Sequence, residues 1–477
     1  MTKKYEFLIG GTWHQGSRTL PVVNPYTQEV FGEVCLADGD AIEKAIVLAE
    51  KAFQTTRKQP AYLRGRICSQ VAEGIRSRSE EFARTLARES GKPLVLAQGE
   101  VQRSISTFTI ASEEALRING EVLTLDISES ARGKTGITWR FPIGPVAGIS
   151  PFNFPLNLIA HKVAPALACG NPIIIKPASA TPLTALLLAE VVLETEAVEG
   201  SFSVLPCSGK VASPLVEDPR IKMISFTGSV AVGWDMKRRA GKKKVTLELG
   251  GNAAVIVEPD ADLDLAAKKI CSGAFAYSGQ VCISVQRCYV HESRFSPFMD
   301  RLLKEVNTLQ PGDPLDETVN FGPMIDVDNA KRIETWTCQA VEGGGRVLTG
   351  GKRDGAFFEP TVLTGVPANA DLACNEAFGP ILVVEPYSDF RKALDLVNNS
   401  DYGLQAGVFT PRMDKSLQAF NRLEVGGVII NDVPTFRVDN MPYGGVKDSG
   451  FGREGIRYSL EEMTEIKLLA FDHYREE

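Results

Sequence analysis

The chain has 477 residues, more than a single hydrophobic core usually organises, so we expect two or three domains. Hydrophobic residues make up 44% and charged residues 23%, proportions that are ordinary for a folded globular protein and exclude a disordered chain. The 52 basic and 59 acidic residues give a net charge of −7, and no basic tract with interleaved aromatics occurs, so nucleic acid is not an expected partner.

The sequence predicts neither secretion nor insertion into a membrane. Residues 1–5 lack the apolar stretch of a secretory signal, and the longest apolar helix candidate, 183–193, contains Glu190 and is too short to cross a bilayer. Nine cysteines without paired spacing argue against a disulfide framework. None of the four histidines has a second ligand at metal spacing. We therefore expect a reduced, cytoplasmic, metal-free protein.

The N-terminal quarter is predicted to be helical. Apolar residues recur at three- and four-residue steps over 40–53, 62–90 and 95–118. The segment 122–141 differs, because alternating apolar residues flank a glycine-containing turn, which predicts a β-hairpin. An isolated hairpin is marginally stable, so we expect it to pair with another subunit or with the C-terminal end of the chain.

From residue 140 onward, short apolar strands alternate with helices. This alternation predicts an α/β fold with a doubly wound parallel sheet. A second alternating series from 253 to 431 predicts another such domain, with a ligand cleft between the two. The predicted strands of the first series are 146–149, 172–175, 203–205, 223–226 and 245–249, and its helices are 156–167, 182–194 and 231–240. The predicted strands of the second series are 253–257, 286–290, 381–385, 407–410 and 428–431.

Two strand ends of the first series carry residues suited to binding a phosphorylated ligand. Gly228 and Ser229 precede a helix, whose exposed N–H groups favour a phosphate; the alternative is a tight turn in which Ser229 only caps the helix. Lys176 ends a strand at the edge where open α/β sheets bind ligands. A solvated strand-end lysine is the alternative at this position.

Three further residues have side chains suited to acyl chemistry. Asn153 stands between two aromatics and two prolines, where its amide either stabilises an oxyanion or caps a helix. Glu248 is flanked by leucines, so desolvation raises its pKa toward that of a general base; the alternative is a buried, paired carboxylate. Cys282 follows a Gly-Gln step and is either a nucleophile or a buried small hydrophobe, with no histidine near it in sequence.

Seven short runs follow one another in a recognisable order. They are Pro-Phe-Asn-Phe-Pro (151–155), Lys-Pro-Ala-Ser (176–179), Ser-Phe-Thr-Gly-Ser (225–229), Leu-Glu-Leu-Gly-Gly (247–251), Gly-Gln-Val-Cys (279–282), Glu-Ala-Phe-Gly-Pro (376–380) and Met-Pro-Tyr-Gly-Gly-Val-Lys (441–447). Together they resemble the NAD(P)-dependent aldehyde dehydrogenase superfamily over essentially the whole chain. The run 435–442 is similar to its lactaldehyde, non-phosphorylating glyceraldehyde-3-phosphate and phosphonoacetaldehyde dehydrogenase branch.

The resemblance implies a covalent mechanism. Cys282 would attack the aldehyde carbon to give a thiohemiacetal, and the Asn153 amide with the backbone N–H of Cys282 would hold the oxyanion. Hydride transfer to the nicotinamide would leave a thioester. Water activated by Glu248 would hydrolyse this thioester to a carboxylate.

The resemblance also implies NAD or NADP as the cofactor. Lys176 would bond the adenosine ribose, and the nicotinamide ribose would be held at the opposite end of the site. Ser179 stands where strongly NAD-preferring members often have a glutamate, and a serine does not repel a 2′-phosphate, so we expect NADP to be accepted as well. The implied cofactor-binding residues are Phe152, Lys176, Ser179, Gly228, Ser229, Glu376 and Phe378.

For the substrate, the resemblance implies a small aldehyde that is hydroxylated or anionic. Arg103 and Arg437 are candidates to bind such a group, although surface positions are the alternative for both. Val281 replaces an arginine that many phospho- or phosphono-aldehyde members carry before the nucleophile, which disfavours a phosphorylated substrate. The residues expected to line the substrate tunnel are Arg103, Leu158, His161, Val281, Ile283, Phe436 and Arg437.

The family's architecture implies three parts and a homodimer or homotetramer. We expect a cofactor domain at 1–121 and 142–250, a catalytic domain at 251–440, and a small β oligomerisation arm at 122–141 and 441–477. Two alternative functions remain at this point. One is a CoA-acylating semialdehyde dehydrogenase, which Glu248 disfavours, and the other is a non-catalytic scaffold on the same fold.

Overall fold

The computed structural model describes residues 3–472. Within this part of the chain, no helix is long and apolar enough to cross a membrane. The α-helices span Gly39–Thr56, Ala61–Ser77, Ser79–Ser90, Leu94–Glu114, Asn157–Cys169, Leu183–Leu193, Ser213–Glu217, Val230–Arg239, Leu263–Phe275, Phe295–Val306, Val327–Glu342, Asp371–Cys374, Phe390–Asn398, Met413–Arg422 and Ile456–Glu462. Single 3-10 turns lie at Glu129–Ala131, Ala276–Gly279 and Glu292–Arg294.

The first domain is built on an eight-stranded sheet. Its central strands are parallel and its outer strands antiparallel. The chain order reverses between Val146–Ile149 and Met223–Thr227, which makes the carboxyl ends of these two strands a favoured ligand crevice. In spatial order the strands are Gly450–Phe451, Lys244–Glu248, Met223–Thr227, Val146–Ile149, Ile173–Lys176, Phe202–Val204, Phe7–Ile9 and Thr12–His14.

The second domain is built on a seven-stranded sheet, parallel except at one edge. Its interior strand Ala253–Val257 is wholly buried, as expected for a parallel strand covered by helices on both faces. Lys244–Glu248 of the first sheet leads through two glycines into this strand, so the carboxyl edge of one sheet faces the amino edge of the other. In spatial order the strands are Arg346–Thr349, Thr361–Thr364, Ile381–Tyr387, Val285–His291, Ala253–Val257, Gln405–Phe409 and Gly427–Ile430.

The predicted hairpin is confirmed as part of a three-stranded arm. Val122–Thr124 pairs with Lys134–Pro142, which pairs over its whole length with Thr464–Asp472 near the C-terminal end of the chain. The arm strands carry exposed apolar side chains, including Trp139 and Leu468. The remaining strands form small sheets: Lys3–Tyr5 with Val30–Cys35 and Thr19–Val23, Arg353–Asp354 with Phe357–Phe358, and Tyr402–Gly403 with Val446–Lys447.

Two details differ from the sequence-based expectations. The helix predicted over 62–90 is broken at Arg78, whose backbone leaves the helical region. The spacing of apolar residues gives no sign of this break, because Ile75 and Phe82, on either side of Arg78, are buried in the same hydrophobic core. The C-terminal segment assigned to the arm also contributes the strand Gly450–Phe451 and the helix Ile456–Glu462 to the first domain.

Candidate active site

A cavity of about 740 Å³ opens where the two sheets face each other. Its wall combines loops that follow strands of the first domain with loops that precede strands of the second. Three sequence-predicted residues lie elsewhere: Ser179 is exposed outside the wall, His161 is buried behind it, and Phe436 is exposed outside it. The sequence-predicted residues that line it are Arg103, Phe152, Asn153, Leu158, Lys176, Gly228, Ser229, Glu248, Val281, Cys282, Ile283, Glu376, Phe378 and Arg437.

Cys282 lies on a loop that turns sharply after the helix Leu263–Phe275. Tyr277 and Ser278 have left-handed φ values of 49° and 52°, conformations that L side chains seldom adopt and that surrounding contacts must hold in place. The Cys282 Sγ atom lies 3.3 Å from the hydroxyl of Tyr443. Burial raises the pKa of the Cys282 thiol to about 12, so the resting group is a neutral thiol.

Asn153 connects the first domain to this loop. Its Nδ2 donates to the carbonyl of Gln280 over 2.9 Å, two residues before Cys282. Asn153 does not cap the following helix, because the first helical N–H groups donate instead to the carboxylate of Glu100. A primary amide has two N–H groups, so this bond leaves one N–H free to serve as a donor.

Glu248 ends the strand Lys244–Glu248 and is almost completely buried on the cavity wall. Neither carboxyl oxygen has a hydrogen-bond partner among residues 3–472. Burial, reinforced by the negative charge of Glu454, raises the pKa of Glu248 well above its ordinary value. A side chain at position 444 would crowd this group, since a Cβ on Gly444 would lie 2.8 Å from the Glu248 Oε1 atom. The glycine therefore keeps the carboxyl group accessible.

One end of the cavity groups Glu376 with two aromatic rings. The Glu376 Oε1 atom accepts from the backbone N–H of Gly251 over 3.0 Å, and burial raises the pKa of Glu376 to about 7. The rings of Phe152 and Phe378 meet edge to face with centroids 5.7 Å apart. A Cβ at Gly250 would lie 2.5 Å from the Glu376 carboxylate, so glycine is required for this close approach.

Another part of the cavity wall suits the phosphates of a dinucleotide. Gly228 and Ser229 line it where the helix Val230–Arg239 begins, and the Ser229 side chain makes no capping hydrogen bond to that helix start. The first N–H groups are therefore available to an anion. Lys176 is partly buried, and the Lys176 Nζ donates to the carbonyl of Pro177 over 3.0 Å, so it is not a freely solvated lysine. With Glu376 on the same cavity wall to accept hydrogen bonds from ribose hydroxyls, these residues fit NAD or NADP.

A buried ion network that sequence reasoning missed lies behind Glu248. The Lys162 Nζ donates to Thr227 Oγ1 over 2.7 Å and to Glu454 Oε1 over 3.0 Å. The Arg437 Nη2 donates to the other oxygen of Glu454 over 3.2 Å. Although burial opposes it, the charges of Lys162 and Arg437 lower the pKa of Glu454 to about 2, so this carboxylate stays ionised. A signal existed in the sequence, since Lys162 is the one charged residue of an otherwise apolar helix pattern.

A second cluster explains where His161 lies. The His161 Nε2 and the Arg103 Nη2 both bond Asp439 Oδ1, over 2.9 Å and 2.8 Å. Burial lowers the pKa of His161 to about 4, so the imidazole is neutral. His161 therefore supports Asp439 and Arg103 from behind the wall, and the expectation that it faces the tunnel is corrected.

Comparisons with known proteins show the family of this chain. The sequence profile described as "Aldehyde dehydrogenase family" matches residues 13–469. The chain belongs to the aldehyde dehydrogenase family. It is 42% identical over 471 residues to 3-sulfolactaldehyde dehydrogenase of Priestia aryabhattai, covering 98% of each chain.

Two solved aldehyde dehydrogenase structures are similar over nearly their whole length. Aldehyde dehydrogenase 21 from Physcomitrella patens, in complex with the reaction product succinate, is 47% identical with a TM-score of 0.97, covering 99% of each chain. Glyceraldehyde-3-phosphate dehydrogenase GapN from Methanocaldococcus jannaschii, complexed with NADP, is 39% identical with a TM-score of 0.91. That match covers 96% of this chain and all of the other.

The family resemblance and the α/β fold predicted from the sequence are thereby confirmed. The enzyme is an NAD(P)-dependent aldehyde dehydrogenase, and the non-catalytic alternative is set aside. When bound, the nicotinamide of the cofactor accepts a hydride from the substrate.

Proposed function

We propose that the enzyme oxidises a small aldehyde carrying a single negative charge, or hydroxyl groups, to its free carboxylate. The observation that carries this proposal is the position of Arg103 and Arg437 on the wall of the cavity that also holds Cys282. The Arg103 side chain keeps 31% of its surface exposed toward solvent. Guanidinium groups bind carboxylates and sulfonates through paired hydrogen bonds.

The charge balance on the substrate side favours an anion. Arg103, Arg437 and Lys162 are cations, while Asp439 and Glu454 are their anionic partners. While Glu248 is protonated, these groups leave a positive excess in a largely buried region. A negatively charged substrate compensates this excess, which a neutral aldehyde would leave in place at a cost in free energy.

Two relatives support this substrate class. The Priestia aryabhattai enzyme is named for 3-sulfolactaldehyde, which bears a sulfonate, and the Physcomitrella patens structure holds succinate. Val281 next to the nucleophile adds no positive charge that a phosphate would require. The exposed Ser179 places no carboxylate against a 2′-phosphate, which is consistent with use of NADP.

The proposed mechanism assigns one role to each catalytic side chain. The Cys282 thiol releases its proton to water in the open cavity as its sulfur adds to the aldehyde carbon, and the free N–H of Asn153 with the backbone N–H of Cys282 binds the resulting oxyanion. One such donor is worth about 3–4 kcal/mol in acyl-transfer sites. Once the bound substrate has been oxidised to the thioester, Glu248 would remove a proton from water, and the hydroxide would displace the Cys282 thiolate from the thioester.

The presence of Glu248 favours hydrolysis over transfer of the acyl group to CoA. A buried carboxyl group without a hydrogen-bond partner in the described chain is available to hold a water molecule beside the thioester. We also propose that the arm assembles a homodimer or homotetramer. All nine cysteines are unpaired, which supports a reducing, cytoplasmic location.

Substitution of Cys282 and of Glu248 should separate formation of the thioester from its hydrolysis. Cys282→Ala should lower kcat by roughly 10³-fold or more because no acyl-enzyme forms. Glu248→Gln should lower kcat by roughly 10²-fold or more while the first turnover still releases one equivalent of reduced cofactor. Stopped-flow absorbance of reduced cofactor measures the first turnover, and steady-state absorbance assays measure kcat.

The control for this pair is Cys338→Ala, which removes an exposed thiol from the helix Val327–Glu342. Its kcat should stay within twofold of the parent enzyme. Full activity in Cys282→Ala, or unchanged steady-state turnover in Glu248→Gln, would contradict the assigned roles.

The raised pKa of Glu248 predicts how hydrolysis depends on pH. A carboxyl group is a base only above its pKa, so the deacylation rate should rise with pH through a midpoint above the ordinary glutamate value of about 4.3. The rate is measured from pH 4 to 9 on enzyme acylated by an activated ester. A midpoint at or below the ordinary value would refute this assignment, as would an identical rise in Glu248→Gln.

Substitution of Arg103 should weaken the binding of anionic aldehydes more than that of neutral aldehydes. Arg103→Gln should raise KM for succinic semialdehyde by roughly 10-fold or more, because a charged hydrogen bond is worth about 1.5–3 kcal/mol. The kcat/KM value for propanal, which has no anionic group, should change by less than twofold. Arg117→Gln, at an exposed arginine beyond the cavity, is the matched control. Equal losses for both aldehydes would contradict anion recognition.

Charge placed on the arm should weaken the assembly. Ile466 and Leu468 are about half exposed on the strand Thr464–Asp472, and a second copy would cover them. Ile466→Asp combined with Leu468→Asp should shift the sedimentation coefficient toward that of the monomer. Lys352→Asp, on an exposed loop, should leave it unchanged. An unchanged sedimentation profile in the double variant would exclude the arm from the interface.

A further inference from the structure

An unusual lysine lies beneath the two catalytic loops. Lys92 is fully buried, and the Lys92 Nζ is paired with the carboxylate of Glu100, which is buried as well. The same ammonium group lies 3.8 Å from the ring centroid of Phe154 and 4.7 Å from that of Tyr277. Burying an ion pair is costly, and an apolar pair of the same shape would often stabilise a core equally well. This placement therefore calls for an explanation beyond core packing.

On one side, Lys92 and Glu100 hold the loop that carries Asn153. Phe154 is the next residue in the chain, and its ring covers the ammonium group. Glu100 Oε1 accepts from the backbone N–H groups of Leu156 and Asn157 over 2.9 Å and 3.1 Å. The ion pair thus fixes both the side chain that follows Asn153 and the start of the helix behind it.

On the other side, Lys92 holds the loop that carries Cys282. The left-handed backbone at Tyr277 and Ser278 requires contacts that keep it in place. The Tyr277 hydroxyl donates to the carbonyl of Ser90 over 2.8 Å, and the Tyr277 ring packs edge-on against Phe154. Lys92 therefore lies two residues after Ser90, whose carbonyl binds the nucleophile loop. Its ammonium group also lies beneath the Tyr277 ring of that loop.

We propose that Lys92, through its ion pair with Glu100, is a positioning residue that sets the Asn153 loop against the Cys282 loop. Its ammonium group bridges the ring that follows the oxyanion donor and the ring that precedes the nucleophile. The bond from Asn153 Nδ2 to the Gln280 carbonyl joins the same two loops nearer to the cavity. This inference rests on the proposed roles of Cys282 and Asn153.

The test replaces both charges together, so that no unpaired ion is left in the core. In Lys92→Met combined with Glu100→Gln, the glutamine oxygen still accepts from the Leu156 and Asn157 N–H groups. We expect kcat to fall at least 10-fold, with KM for the cofactor changed less than twofold. Alkylation of Cys282 by iodoacetamide, followed by peptide mass spectrometry, should change in rate at least threefold, because the loop that presents the thiol is displaced.

The matched control is Lys415→Met combined with Glu258→Gln. Lys415 is also paired with a buried glutamate and lies 5.2 Å from the ring centroid of Phe390, but this pair contacts Tyr387 and Phe390 rather than the loops of Asn153 and Cys282. This control should keep kcat and the Cys282 alkylation rate within twofold. If both double variants lose activity only in proportion to lost folded protein, Lys92 has a structural role alone and the proposal is overturned.

A milder variant covers the case in which the Lys92 double variant does not fold. Tyr277→Phe removes only the hydroxyl that bonds Ser90, and it should lower kcat at least threefold with cofactor KM unchanged. An unchanged kcat and alkylation rate in Tyr277→Phe would overturn the proposal. Alkylation does not require turnover, so these outcomes are distinct from failure of the proposed function, which the Cys282→Ala assay reports.

Discussion

The hydrogen bond from Asn153 Nδ2 to the carbonyl of Gln280 is the contact on which the active site depends. Asn153 follows a strand of the first domain, and Gln280 belongs to the loop of the second domain that carries the nucleophile. One N–H of the amide closes this bond, which leaves the other to face the substrate. The two domains thereby deliver an oxyanion donor and a thiol to the same cavity. Both positions are set before any substrate binds, which is what electrostatic stabilisation of a transition state requires.

The buried charges explain why Glu454 and Glu248, which lie close together, have different pKa values and different roles. Glu454 is ionised because Lys162 and Arg437 contact it, whereas Glu248, close to its negative charge, has no such partner in the described chain and keeps a raised pKa. Glu454 can therefore hold Arg437 on the cavity wall, and Glu248 can act as a base. While Glu248 is protonated, the same arrangement leaves the substrate side with a positive excess, which matches an anionic aldehyde.

Much of the fold and part of the site were predictable from the sequence. Short apolar runs that alternate with helical patterns located ten of the fifteen strands in the two main sheets, because a buried strand must be apolar. The family resemblance of the seven motifs grouped Cys282, Glu248 and Asn153 in one site. The spacing of these residues along the chain did not by itself indicate that they are neighbours. Glu454 and Asp439 were missed because their partners lie far away in the chain. Lys92 was missed because the rings of Phe154 and Tyr277 that it contacts are equally distant in sequence. His161 was placed in the tunnel for the same reason, since its bond to Asp439 spans 278 positions.

The central claim is that the substrate becomes covalently bound to Cys282 as a thioester that Glu248 then removes. The most direct test is mass spectrometry of the Glu248→Gln enzyme quenched with acid after mixing with NADP+ and succinic semialdehyde. The peptide containing Cys282 should gain the mass of the aldehyde less two hydrogen atoms. Its absence when reduced cofactor has formed, or the same adduct on another cysteine such as Cys338, would contradict the account.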